Sequence, residues 1–145
     1  MNGNSLSRIA YGTINPFRFV QQAPGIPLGA LQASGSDVPI IGIAQEWTNN
    51  IMGTLYQPAQ GYPAAASGEV LRLYENYDMN AMIMVGSGQT VVPGSMLVSD
   101  ASGNAVGVNL ATAGLKWVGA IAVEGGVAGD VIRVQVYTQA ITVPA

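Results

Sequence analysis

The sequence predicts a mainly β domain, on three observations. Valine and isoleucine together number 27 against 9 leucines, and β-branched side chains suit the pleated strand better than the helix. Nineteen glycines and eight prolines punctuate the 145 residues, as short strands joined by turns require. Several short runs alternate apolar and polar residues, the spacing that gives a strand one buried and one solvated face. At 49% hydrophobic and 9% charged, the chain has the apolar surface for a packed core and too little charge for disorder.

In chain order, residues 1–15 (MNGNSLSRIAYGTIN) are small and polar with little to bury, and they predict an arm that is ordered only against something else. Residues 16–145 are predicted to form one β-rich domain. Within it, Val38–Ala44 is a short apolar run after the Ser34–Asp37 turn, and Glu69–Tyr74 alternates; both read as strands. Between them, residues 49–67 are rich in Gly, Pro, Ala and Tyr with no clean period, which predicts a long loop with at most a helical turn. Ser95–Val98, the turn Asp100–Asn104 and Ala105–Val108 form a predicted hairpin, because Gly103 and Asn104 tolerate the positive φ of tight turns. A second hairpin runs from Lys116–Glu124 through the glycine-rich Gly125–Gly129 to Asp130–Thr138, where Ile132, Val134 and Val136 share one face. Leu31–Gly35 before Ile41–Ile43 echoes Leu97–Gly103 before Val106–Val108, but two such matches are not a repeat architecture.

Most catalytic designs are excluded by absence. With no cysteine and no histidine, the chain has no disulfide, no thiolate nucleophile, none of the usual zinc ligand sets and no imidazole acid–base group. Five basic against eight acidic residues, net charge −3, supply no cationic surface for nucleic acid. No apolar run approaches the roughly 18–20 residues of a membrane helix, and Met1–Ser5 lacks the basic and apolar regions of a signal peptide; neither a membrane partner nor secretion by that route is expected. The carboxylates Glu75 with Asp78, or Glu124 with Asp130, are the only suppliers of an acid–base pair, against the simpler reading of solvated turn residues. Asp100–Asn104 resembles a calcium loop superficially but lacks its further acidic positions. Gly86–Thr90 has no following lysine for a phosphate loop, and Ser–Lys catalysis would need the lone Lys116, in a predicted strand. Met79, Met82 and Met84 with Tyr74 and Tyr77 read as core filler or as an adaptable contact surface. No enzyme, cofactor or metal site is expected, and a charge-poor surface predicts assembly with another protein.

Five short motifs, taken in order, resemble the capsid decoration (cement, head-stabilising) proteins of tailed bacteriophages: Asn15–Val20 with its Arg-Phe-Val, Ile41–Glu46, Val92–Leu97, Val118–Ala122 and Ala128–Val136. The resemblance spans residues 15–137. It implies a small β-barrel of the β-tulip type and a homotrimer whose partner is the major capsid protein. It further implies a place on the outer surface of the virion, after synthesis in the host cytoplasm. The module would cement neighbouring capsomers against internal DNA pressure. The arm would reach onto the shell, with Ser5, Leu6, Arg8, Ile9, Tyr11 and Ile14 as contact residues. The alternative is a head-fibre base, or an adhesin β-module binding a host glycan through Trp47, Tyr56 and Tyr62.

Overall fold

The structure is a computed structural model that describes residues 7–45, 64–74 and 80–144. Among these there are twelve strands and no helix. The first five are β1 (Ser7–Ala10), β2 (Arg18–Gln22), β3 (Gly29–Gln32), β4 (Ile40–Ala44) and β5 (Val70–Tyr74), and they close into a barrel in the order β1-β3-β2-β4-β5. Only β1 and β3 run parallel. The remaining strands are β6 (Asn80–Met84), β7 (Thr90–Val91), β8 (Met96–Ser99), β9 (Ala105–Gly107), β10 (Gly114–Ala122), β11 (Gly126–Val127) and β12 (Val131–Val143). They form a sheet in the order β6-β12-β10-β8-β9 and a small β11-β7 ribbon. A bridge between Val85 and Ala105, with the Gly86 N–H donating to the Ala105 carbonyl at 2.8 Å, draws the two outer strands of this sheet together and nearly closes it.

Two cores result, and β2 and β4 are the wall between them. Val20 and Ala44 point into the barrel with Ala10, Ile14, Ala30, Leu71 and Leu73. Phe19, Ile40 and Ile43 point the other way, into a larger core shared with Ile83, Leu97, Ala120, Ile132 and Val134. The two buried residues of β2, Phe19 and Val20, are adjacent and enter different cores between the half-buried Arg18, Gln21 and Gln22, so Arg18–Gln22 carries no period-two signal. β4 adds an irregularity: Val20 pairs Gly42 and Gln21 pairs Ile40, leaving Ile41 as a bulge. That extra residue is why Ile40 and Ile43, three apart, face the same core.

Both predicted hairpins form, as β8–β9 and β10–β12, and the two earlier predicted strands are β4 and β5. The Asp100–Asn104 segment is a capped turn: the Asp100 carboxylate accepts the N–H groups of Ser102 at 2.8 Å and Asn104 at 2.9 Å. The turn docks on the barrel, where the Gly103 carbonyl accepts from the Phe19 N–H at 2.8 Å and the Ser102 carbonyl accepts from the Gln32 side chain at 2.9 Å. Gly103 has φ 79°, and a Cβ there would lie 2.9 Å from Gln32 Cγ. Gly103→Ala is expected to destabilise by about 1–3 kcal/mol, read as a lower thermal midpoint.

β12 extends past the expected Thr138 to Val143, since Gly114–Val118 pairs it throughout. The echo between residues 31–43 and 97–108 is not a structural repeat: β8 and β9 pair directly, whereas β3 and β4 lie on opposite sides of β2.

The expected boundary of the arm moves. Residues 7–15 belong to the folded body, because β1 pairs β5 on one side and β3 on the other and Ala10 and Ile14 are buried in the barrel. Ile14 exchanges hydrogen bonds with Ala64 and Ala65, so the end of the 49–67 segment is also barrel lining; residues 49–63 lie outside the described residues. A four-residue strand with one inward alanine is too short to show a pattern, which is why this segment reads as an arm.

Candidate docking surfaces

Among the described residues, the chemistry-bearing side chains do not converge. Glu75 and Asp78 lie outside the described residues. Asp130 serves its own turn, its carboxylate accepting from the Val127 N–H at 2.9 Å, while Glu124 is exposed at the strand end. Among the described residues no three acidic side chains gather as a metal site would require. Gly86–Thr90 is a connector into β7, with the Gln89 side chain accepting from the Gly107 N–H at 3.3 Å. Lys116 is a half-buried strand residue opposite Ile141. What the fold presents is apolar surface.

The first surface is the barrel wall opposite the β2–β4 partition. β1 turns Ala10 inward and therefore Ile9 outward; β5 turns Leu71 and Leu73 inward and Val70 outward. Ile9 and Val70 are directly paired, and the Ile9 N–H donates to the Leu28 carbonyl at 2.9 Å. Ile9, Val70, Leu28 and Tyr11 are 38%, 42%, 49% and 50% exposed, four exposed apolar residues on backbone segments that this pairing and hydrogen bonding bring next to one another.

Leu28 also has φ 59°, a left-handed conformation that costs a branched residue about 1–2 kcal/mol. Its loop is held by the Gln22 amide, which donates to the Ile26 carbonyl at 2.6 Å, and by Ile26 packing on Gly29, where a Cβ would approach Ile26 Cγ2 to 2.9 Å. Pro24 and Pro27 stiffen it further. An exposed leucine held in strain by a rigid loop is a feature that folding alone does not require.

Of the six residues expected to meet a partner, Ile9 and Tyr11 lie on this wall. Arg8 is half-buried and donates to the Gln22 side chain at 2.9 Å, and Ile14 is in the core; neither presents a free contact. Ser5 and Leu6 lie outside the described residues, as do Trp47, Tyr56 and Tyr62. Leu28 and Val70 are the members that sequence reasoning missed; the single available signal is a leucine between two prolines and a glycine in Pro24-Gly25-Ile26-Pro27-Leu28-Gly29.

The second surface is the outer face of the β6-β12-β10-β8 sheet. Ala81 and Ile83 face the core, so Met82 and Met84 face out, half-buried. The methionine cluster is thus a surface element and not core filler; Tyr74 is exposed as well, and Tyr77 and Met79 lie outside the described residues.

No protein-family model and no curated protein sequence matches the chain. Its fold is similar to that of the head fiber gp8.5 N base of bacteriophage phi29, with a TM-score of 0.61 at 14% identity over 92% of this chain and 93% of that chain.

Proposed function

We propose that this chain is a structural protein of a phage virion, associated with the capsid as a head-fibre base. The observation that carries the reading is the extent of the structural likeness: it runs nearly end to end on both chains, so the compared unit is the whole base and not a shared hairpin. The partner is the major capsid protein, on the outer surface of the head. The barrel wall of Ile9, Tyr11, Leu28 and Val70 is the seat, because a preformed apolar surface loses little conformational entropy on docking. Repetition over a symmetric shell multiplies modest single-site affinity. No reactive group is needed for this role. The cement reading, carried by the five motifs, remains the second one.

Copy number in density-purified particles separates the two. A small, lattice-set fraction of the shell protein's copies is expected for a fibre base, whereas a ratio near one to one would replace that reading with the cement one. Absence from particles would overturn both.

Leu28→Gly is expected to raise stability by about 1 kcal/mol through relief of the left-handed strain, while lowering occupancy on heads through loss of the apolar contact. A melting curve and a head-binding assay on the same preparation check both arms. Ile9→Lys, on an exposed position, is expected to leave stability within about 0.5 kcal/mol and to weaken attachment.

A further inference from the structure

β6 is an edge strand without the usual protection. Among the described residues it pairs along its length with β12, and just past its end Val85 bridges to Ala105. Together with Val85 it reads Asn-Ala-Met-Ile-Met-Val, six residues with no charge, no proline and no glycine. That is the composition of segments that add further strands most readily. Edge strands are ordinarily blunted by lysine, by proline or by a bulge. None of these stands between Asn80 and Val85, and the β6–β12 register is continuous.

The outer edge is closed instead by groups that belong to the barrel. The Gln45 side-chain amide makes two bonds to one residue: Nε2 donates to the Met82 carbonyl at 3.0 Å, and Oε1 accepts from the Met82 N–H at 3.0 Å. A residue on a neighbouring antiparallel strand would make the same pair of bonds. Two residues on, the Met84 N–H donates to the Phe17 carbonyl at 3.0 Å. Residues two apart present their backbone groups to the same edge of a strand, so Gln45 and Phe17 occupy consecutive positions of one edge.

The Phe17 carbonyl reaches β6 through a strained backbone. Phe17 has φ 61°, a left-handed conformation that is unfavourable for a residue with a Cβ. Its own N–H donates to the Ala44 carbonyl at 2.8 Å, and the Gln45 Nε2 donates to that same carbonyl at 3.2 Å. Ala44 thus anchors both halves of the closure. On β9, at the opposite edge of the sheet, the Gly107 N–H is likewise taken by a glutamine side chain, that of Gln89.

We propose that Gln45, together with Phe17, is an edge cap: it fills the strand-addition site of β6 and keeps this apolar segment from pairing with extended chains, the β6 of another copy included. A neutral amide achieves by occupancy what an edge lysine achieves by charge, which suits a chain with 9% charged residues. The cap is a property of the isolated chain and is independent of any attachment to a capsid.

The experiment is amide hydrogen exchange, resolved by residue, on the purified full chain, with light scattering and thioflavin fluorescence at about 100 µM, well below the melting midpoint. In the wild type the Met82 and Met84 amides are expected to be protected like those of β12, with no growth of scattering. Gln45→Leu keeps the bulk of the side chain and removes its amide. It is expected to speed exchange at Met82 by about tenfold, to leave Met84 within about threefold, and to yield thioflavin-positive aggregates from folded protein. Adding Met82→Glu, which places a charge on the open edge strand opposite Arg133, is expected to abolish the aggregates without restoring protection at position 82. Gln22→Leu, which removes a glutamine that holds the Leu28 loop, is the control and is expected to stay soluble. A wild-type Met82 amide that exchanges freely overturns the proposal even where Gln45→Leu fails to fold. A Gln45→Leu chain as soluble as the wild type, or a Gln22→Leu chain that aggregates equally, overturns it as well.

Discussion

A chain beginning at Pro16 is expected to lose cooperative folding. Removal of residues 1–15 takes away β1, which closes the barrel between β3 and β5, together with the buried Ala10 and Ile14. Deleting the Ile14 side chain alone corresponds to about 2–5 kcal/mol. The backbone bonds from Ile9 to Leu28, Ala10 to Glu69, Tyr11 to Ala30 and Ile14 to Ala65 go with it, at about 0.5–1.5 kcal/mol each. That total is comparable with the whole stability of a domain, about 5–15 kcal/mol. Circular dichroism melting is the measurement, with a chain beginning at Ser7, which retains every described strand, as the comparison. A Pro16 chain that melts cooperatively within a few degrees of that comparison would show that the barrel does not depend on β1.

The second large effect is expected where the two cores meet. The Phe19 ring, fully buried, lies on Gly119. A methyl group added at Gly119 would collide with Phe19 Cε1 and sit 2.8 Å from Cδ1. Gly119 also stands at the irregularity of the β10–β12 ladder, where Val118 pairs Gln139 and Ala120 pairs Val136, so the backbone cannot slide away without breaking register.

Gly119→Ala is therefore expected to cost about 1–3 kcal/mol or more, and Phe19→Ala, which leaves a cavity, about 3–5 kcal/mol. In a chain of this size each kcal/mol lowers the thermal midpoint by about 2–4 °C. Phe19→Leu combined with Gly119→Ala is expected to cost less than the sum of the two single changes, because the smaller side chain vacates the space the methyl needs. Strict additivity in that cycle would mean that the two residues do not touch.

Much of the C-terminal half was legible because its signals are local. Ile132, Val134 and Val136 alternate with outward residues, and Asp100 and Gly103 carry the chemistry of their own turn. The N-terminal half was less so. β2 sends the adjacent Phe19 and Val20 into different cores, β4 hides its period behind the Ile41 bulge, and β1 is too short to declare a face. The candidate surfaces follow the same division. Ile9 and Tyr11 were named only among the arm contacts that the family resemblance implied, whereas Val70 is brought opposite Ile9, and the Leu28 backbone beside it, only by barrel closure. Met82 and Met84 could equally have filled a core until the register of β6 against β12 placed Ala81 and Ile83 inside.

By itself, the sequence determined the all-β class, the two hairpins with their turn residues, and the absence of cysteine and histidine chemistry. These depend on side-chain type and on neighbours a few positions away. Tertiary structure alone decided that β1 closes a barrel, that Phe19 meets Gly119 from the other half of the chain, and which apolar residues face water. The physical reason is that strand pairing and layer packing join residues distant in sequence through backbone hydrogen bonds common to all residue types. Which strand pairs with which is settled only when the entire set of apolar faces is buried at once.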